Sequence, residues 1–325
     1  MSTIAIQNQL TMLELAKNIA PNGQLHKVAA ILTRINRIWD DMPWFQANDI
    51  FSHVSAQEYS EPEGELRTFN DGVGNVSVET QEVRDILSMM EAYSDSDKAM
   101  VDAAPNPQAF RNGRAARILR GIGKSWIELL FYGNNGTNSK SFNGLAVRLN
   151  SLAASANVIG AGGTGSDLTS IYVARWGEGA AWCAYPRGSS LGLEHRDLGE
   201  ITAVTASGKK FQAYRDWFKI YGGLVVEDPK AIGRLANIET SGTTNTFDED
   251  LLIQLLNQMS PDEDFSSMGI YCNSTIKTQM EIRLKDKTNV NYTMDQGLAP
   301  GGVLKFKGIP VRLCECILNT EDAIS

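Results

Sequence analysis

Histidine and cysteine are scarce in this chain, with three and four copies in 325 residues. His26, His53 and His195 stand in three unrelated contexts, and no HExxH or paired His/Cys spacing of a zinc site can be assembled. Cys183, Cys272, Cys314 and Cys316 contain no CxxC pair, so a redox motif is excluded and no metal or cofactor is expected. No stretch of 18 apolar residues exists, so no membrane span is expected. The opening MSTIAIQNQLTMLELAK lacks a basic region leading into an apolar run, so no secretory signal is expected either. Basic charge is in deficit, 30 Lys and Arg against 38 Asp and Glu, a net of −8. That argues against a protein that coats nucleic acid through bulk charge. Fixed-period repeats and low-complexity linkers are also missing.

The rest of the composition is ordinary for a soluble folded protein made inside the cell: 42% hydrophobic and 21% charged residues. The length suits about two domains and a full core without disulfides. Near the start, QLHKVAAILTRINRI places Leu25, Val28, Ala29, Leu32 and Ile35 on one helical face. WDDMPWFQANDIF comes next, and its Trp39, Trp44 and Phe45 are candidates to anchor this arm in a core or a neighbour. From Phe51 to Asp85 the chain reads as a long β-hairpin around the Asn70-Asp71-Gly72 turn signal. It carries eight acidic side chains against two basic ones, a net of −6, and few large apolar residues. So polar a hairpin cannot hold itself together alone and needs a partner surface.

Asn106-Pro107 caps a predicted helix that runs to about Gly133. At about 100° per residue, Ala115, Ile118, Leu119, Ile122, Trp126 and Leu129 share one arc, while Arg114, Arg117, Arg120, Lys124 and Glu128 share the opposite one. The segment has a net charge of +4. Beyond it the pattern is mixed. TSIYVARW, EITAVT, FQAYRDWFKIYG, GLVVED and MGIYCN read as strands; FDEDLLIQLLNQM reads as a helix capped by Thr246, and another helix opens at Ser274. The close reads as two strands around Gly308-Ile309-Pro310, with LCECIL extended and Cys314 and Cys316 buried on one face. The fold class is α+β.

Two glycine patterns invite a nucleotide-binding enzyme. Gly160–Gly165 matches GxGxxG, but the next residues, SDLTSIYVARW, look like a strand where a dinucleotide site needs a helix. RGIGKS resembles the end of a Walker A loop, but Ile118 stands where the first glycine belongs, and the segment lies inside a predicted helix. No GxSxG elbow appears. Asp40-Asp41 and Glu61, Glu63 and Glu65 are better read as charged surface than as acid/base pairs. No catalytic residue is assigned. The basic arc of the long helix could be solvated, could contact phosphates, or could pair with the acidic hairpin of a second molecule. The last is favoured: a hairpin of net −6 would lie across the next molecule's helix of net +4, a head-to-tail contact that closes into rings. The interface candidates are Glu58, Glu61, Glu63 and Glu65 on the hairpin and Arg114, Arg117, Arg120 and Lys124 on the helix.

This order of parts resembles the major capsid proteins of tailed bacteriophages with the Hong Kong 97-type fold. The likeness extends to FNGL after the helix, to LTSIYVARWGEG, AYPRGSSLGLEHRDLGE and GGLVVEDPKAIGRLANIE, and to the closing GIPVR hairpin. The resemblance implies a non-enzymatic shell subunit that forms hexamers and pentamers of an icosahedral head around double-stranded DNA. It implies an N-terminal arm over 1–50, an extended loop over 51–88, a peripheral domain over 89–143 and 301–325 with its spine helix over about 107–133, and an axial domain over 144–300. It also implies a virion protein assembled in the host cytoplasm. The partners implied are a portal protein, a possible decoration protein and a separate scaffolding protein, since fewer than sixty residues precede the loop. The loop holds no lysine, which speaks against the lysine–asparagine crosslink of some members. An encapsulin-type shell of the same fold is the alternative.

Overall fold

The structure is a computed structural model that describes residues 31–32, 36–60, 64–75, 79–153, 157–189, 192–204, 208–260, 265–283, 292–295 and 303–325. The chain passes through a single-turn helix α1 (Ile38–Asp41), a short strand β1 (Trp44–Gln46) and the hairpin β2 (Ser52–Ser60) and β3 (Glu79–Ile86). β4 (Ser88–Asp97) and α2 (Lys98–Asp102) lead into the long helix α3 (Pro107–Tyr132). Then come α4 (Leu145–Arg148), β5 (Val158–Gly160), β6 (Leu168–Arg175), β7 (Ala181–Tyr185), β8 (Leu193–Val204), β9 (Lys210–Val226) and β10 (Ile232–Glu239). The last part holds α5 (Glu249–Met259), β11 (Met268–Cys272), α6 (Ser274–Arg283), β12 (Tyr292–Asp295), β13 (Val303–Phe306) and β14 (Ile309–Leu313). Most of the expected N-terminal helix, with Leu25, Val28, Ala29 and Ile35, lies outside the described residues.

One sheet is organised by β9. β4 pairs antiparallel along one edge, from Ser88 opposite Gly222 to Asp97 opposite Ala213. The other edge takes β8 and then β7, with β1 parallel to β7 outside it. FQAYRDWFKIYG and GLVVED are thus one strand, because Gly222 and Gly223 stay extended within β9 and keep their pairing. A Cβ on Gly222 would stand 2.6 Å from the Trp44 ring. Glycine there lets Trp44 lie flat on the strand. α3 crosses this sheet. Asn106 caps it through its side-chain oxygen, which accepts from Ala109 N at 3.0 Å, and Pro107 opens the first turn. Its 26 residues span about 39 Å.

The second sheet runs β12-β13-β14-β11-β6-β10-β5. β6 is buried on both faces, as near-continuous LTSIYVAR suggests. Its Ile171 and Val173 face a core built with α5 and α6 from Leu252, Leu255, Leu256, Ile276 and Met280. Its Tyr172 and Ala174 face the core shared with α3. In that core Trp39 and Trp44 stack with ring centroids 6.2 Å apart, and both lean on Trp126 of α3, at 5.0 and 5.4 Å. The arm's tryptophans therefore anchor in the chain's own core. Trp126→Ala is expected to lower unfolding stability by about 3–5 kcal/mol, read from the urea midpoint.

Several expectations change. The helix cap of α5 is Asp248, whose carboxylate accepts from Asp250 N, and not Thr246. LCECIL is not a strand: β14 ends at Leu313 because β11, its partner, ends where Asn273 turns the chain into α6. Cys314 N makes the last bond to Cys272 O at 2.8 Å, and the tail then turns away. All four cysteines are free and buried. The two sheets each draw strands from distant parts of the chain. β8 and β9 join β4 beside α3, whereas β13 and β14 join β11 in the second sheet. Only the tail from Cys314 onward packs against the α3 core.

Candidate subunit interface

The hairpin is fixed at its foot. Arg148 of α4 donates to Asp85 Oδ1 at 2.5 Å and to Leu224 O at 3.2 Å, while Asp85 Oδ2 accepts from Val226 N at 3.2 Å. Gln57 donates to Val226 O at 2.8 Å. His53 meets Trp182 edge-on at 4.8 Å. These bonds tie β2 and β3 to the inner end of β9 and set the direction in which the hairpin leaves the body.

Beyond the foot the pairing of β2 with β3 continues to Ser60 opposite Glu79. At the tip, Leu66 and Phe69 are fully exposed and Val73 is exposed by nearly half. Asn70 takes the left-handed conformation at φ 65° that the turn demands. Glu65 Oε2 accepts from Gly74 N at 3.1 Å and closes the tip loop on itself. Two large apolar side chains held in water on a preformed loop are what an interaction surface presents. Glu58 stands on β2 opposite Thr80, and Glu61 and Glu63 lie outside the described residues. Acidity marks the hairpin in the sequence pattern; the three apolar residues of its tip are the signal that pattern hides.

On α3, Arg117, Arg120 and Lys124 face outward, with Lys124 3.7 Å from Glu128 one turn on. Arg114 departs from the expected outer arc: it is half-buried and donates to Asp95 O at 3.2 Å. Between α2 and the first half of α3 lies a groove of about 510 Å³ lined by Met100, Phe110, Gly113, Arg114, Arg117 and Ile118. The two halves of α3 are held differently. From Leu119 onward the helix is sunk in the core through Leu119, Ile122, Trp126, Ile127, Leu130 and Phe131. Before Leu119 it is fastened by Arg111, a basic residue on the inward arc of the helix: its Nη2 lies 2.8 Å from Asp197 on β8 and 3.1 Å from Asp216 on β9. Beneath it, His195 stacks on Phe218 at 4.6 Å beside a cavity of about 170 Å³.

The hydrogen bond from Arg111 holds the Asp197 carboxyl below its usual range, with burial opposing it. A carboxyl depressed in the folded state contributes stability above its unfolded pKa, near 4, and loses it as pH falls through the folded value. Acidification below about pH 4 is therefore expected to release 107–118 before 119–132. Hydrogen exchange of the α3 amides as a function of pH measures this; simultaneous release of both halves would rule it out.

The remaining motifs show no chemistry. Gly160–Gly165 leads from β5 to β6, so the glycines are followed by a strand and do not open a helix. RGIGKS lies in the middle of α3, with its backbone committed to the helix. Among the described residues no group of three His, Cys, Asp or Glu could hold a metal ion, and no helix is long and apolar enough to cross a membrane. The site with the strongest physical definition is thus an extended arm with an apolar tip, set on a rigid body whose spine helix is cationic outside.

That combination defines a self-assembling structural protein. The chain belongs to the Major capsid protein GP7 family, whose model matches residues 20–325, and the α+β architecture is of the Hong Kong 97 type. In the solved structure of bacteriophage Epsilon15 a chain is 26% identical over 88% of this chain and 88% of its own, with a TM-score of 0.63. The bacteriophage JBD30 capsid is 10% identical over 86% and 91%, at 0.46. The SrpI encapsulin complex of Synechococcus elongatus PCC 7942 is 11% identical over 65% and 90%, at 0.44. No curated protein sequence matches. As a major capsid protein the chain forms the shell of the virion.

Proposed function

We propose that this chain builds the hexamers and pentamers of an icosahedral phage head that encloses double-stranded DNA, each hairpin lying across the neighbouring subunit. The observation that carries this is the tip, where Leu66 and Phe69 are held fully exposed on an arm whose foot is tied to the body by Arg148 and Asp85. In this reading residues 1–50 form the N-terminal arm and 51–88 the extended loop. The peripheral domain is α3 with the β4–β9–β8 sheet, and the axial domain is the seven-stranded sheet with α5 and α6. A separate scaffolding protein sets the curvature, a portal protein occupies one vertex, and the outer surface is open to a decoration protein. DNA is held by non-specific contact, consistent with the net charge of −8, since a thin shell need not neutralise its contents.

Co-expression with a candidate scaffolding protein, with light scattering and electron microscopy of the same fractions, tests the proposal. Five- and six-fold rings or closed shells filled with nucleic acid are expected. Shells loaded with a protein cargo would indicate an encapsulin-type compartment, and a small discrete oligomer would sink the proposal. Reversing Arg117 and Arg120 to glutamate is expected to block assembly with the monomer's unfolding midpoint unchanged, because both side chains face outward.

A further inference from the structure

We propose that the groove between α2 and the first half of α3 is the receptor for the hairpin tip of a second copy, with Leu66 and Phe69 seated on Met100, Phe110 and Ile118. This rests on the shell reading and adds to it the surface that receives the tip. Two apolar surfaces of the described residues are candidates for the tip. One is the foot of the hairpin and the adjoining sheet face, where Phe51, Met89 and Tyr221 stand. The other is the groove.

Shape and charge separate them. The foot lies on the face of the sheet formed by β4 and β9, with Met89 opposite Tyr221. Its neighbours there are Glu91, a like charge to the tip's Glu65 and Asp71, and Lys219, which stands opposite Glu91. Lys219 is already engaged, 5.6 Å over the Tyr221 ring and 3.9 Å from Glu194. The groove is concave, at about 510 Å³, with an apolar floor. Its rim carries Arg114, which is engaged by Asp95 O at 3.2 Å, and Arg117, which is exposed and in no ion pair among the described residues. The tip segment 64–75 has Glu65 and Asp71 against Arg67, a net of −1, so tip and rim are of opposite sign. Gly113 opens the middle of the groove: a Cβ built there meets nothing within 4 Å, so its place is vacant for an incoming side chain.

The test is a cysteine pairing in assembled particles of the full chain. Thr68→Cys at the tip is combined with Gly113→Cys in the groove, and separately with Met89→Cys at the foot. The four native thiols are buried, so they do not compete. A disulfide requires Cα atoms within about 7 Å. Mild oxidation is expected to give a ladder of covalent multimers with Gly113→Cys and none with Met89→Cys. A ladder only with Met89→Cys, or particles with no ladder from either pair, overturns the groove and leaves the shell reading standing. If the double variants form no particles, hydrogen exchange of the wild-type chain before and after assembly decides. Joint protection of 64–75 and 109–118 is expected. Protection of 64–75 alone, or of 109–118 by the scaffolding protein alone, overturns the assignment. Absence of particles from the wild-type chain as well overturns the shell reading and the groove with it.

Discussion

The variant Leu66→Asp with Phe69→Asp is expected to form no shells at concentrations where the wild-type chain assembles fully. Both side chains are fully exposed in the single chain, so their replacement removes no internal contact. Exposed changes of this kind usually alter folding stability by within about 0.5 kcal/mol. In an assembled shell the same positions would be covered by a neighbour. A central aromatic or aliphatic anchor is worth about 2–4 kcal/mol on truncation, and burying a carboxylate in its place costs several more unless it finds a partner. A loss of about 2–4 kcal/mol per contact corresponds to roughly 30- to 1,000-fold in affinity. Each subunit of a ring makes the contact twice, once through its own tip and once as receiver. Light scattering against concentration gives the assembly threshold, and a urea curve of the unassembled variant shows whether the fold is intact. Shells at the wild-type threshold would remove the tip from the interface.

Glu321→Ala is expected to cost about 3–5 kcal/mol of unfolding stability, a large effect for a residue so near the end of the described chain. Its carboxylate is buried and accepts from Arg234 Nη2 at 2.9 Å, from Tyr132 O–H at 2.5 Å, from Tyr172 O–H at 3.2 Å, and from the Ser170 hydroxyl. Burial and the neighbouring carboxylate hold the Tyr132 phenol well above its usual range, so it stays protonated and donates. Arg234 also donates to Ser170 Oγ and to Leu149 O, both at 3.0 Å. Removing the carboxylate strands a buried guanidinium and three hydroxyls, and unpaired buried polar groups are costly. The same centre joins α3, β6, β10 and the tail, so the loss falls on the junction of α3 and the tail with the second sheet. Replacing both members of the pair, Arg234→Met with Glu321→Leu, is expected to recover part of the loss, because an apolar pair leaves no charge to desolvate while the three hydroxyls still lack their acceptor. Urea unfolding of the two single variants and the double one measures the coupling. A Glu321→Ala midpoint equal to wild type would show that the tail is not held by this centre.

Much of the local structure is legible along the chain. The Asn106-Pro107 start and Gly133 stop bracket α3, because capping and chain-breaking act within a few residues. The polarity of the hairpin points to a missing partner. The scarcity of histidine and the isolated glycine patterns speak against a metal or nucleotide site. Windowed patterns fail where burial is set by both faces of a strand or by several elements at once. β7 carries an apolar run that does not alternate, and β10 is buried nearly throughout although it holds Arg234 and Asn237, since each is buried on both sides. β4 is separated from the hairpin by Leu87 alone, yet it pairs with β9 and belongs to the body. Arg111 falls on the same arc of α3 as Ala115, Ile118 and Ile122, so the helical period points it inward; that carboxylates of β8 and β9 wait there to pair with it is decided by the packing.

Read along the chain, then, the residues settle whatever depends on near neighbours: helix ends, the turn at Asn70, the alternation of β2 and β3, and the charge of each segment. Which distant segments meet is settled by packing in three dimensions. Asp41 accepts from Arg312 and from the Tyr271 hydroxyl across more than 200 residues, and Asn237 holds the Ile324 backbone by two bonds, at 2.8 and 3.0 Å. Packing also sets β14 beside β11 and leaves Leu66 and Phe69 without cover. The reason is physical. Periodicity and capping are set by φ/ψ preferences over one or two turns, whereas long-range partners are chosen by which surfaces can be desolvated together, and that choice is made only when the whole chain packs.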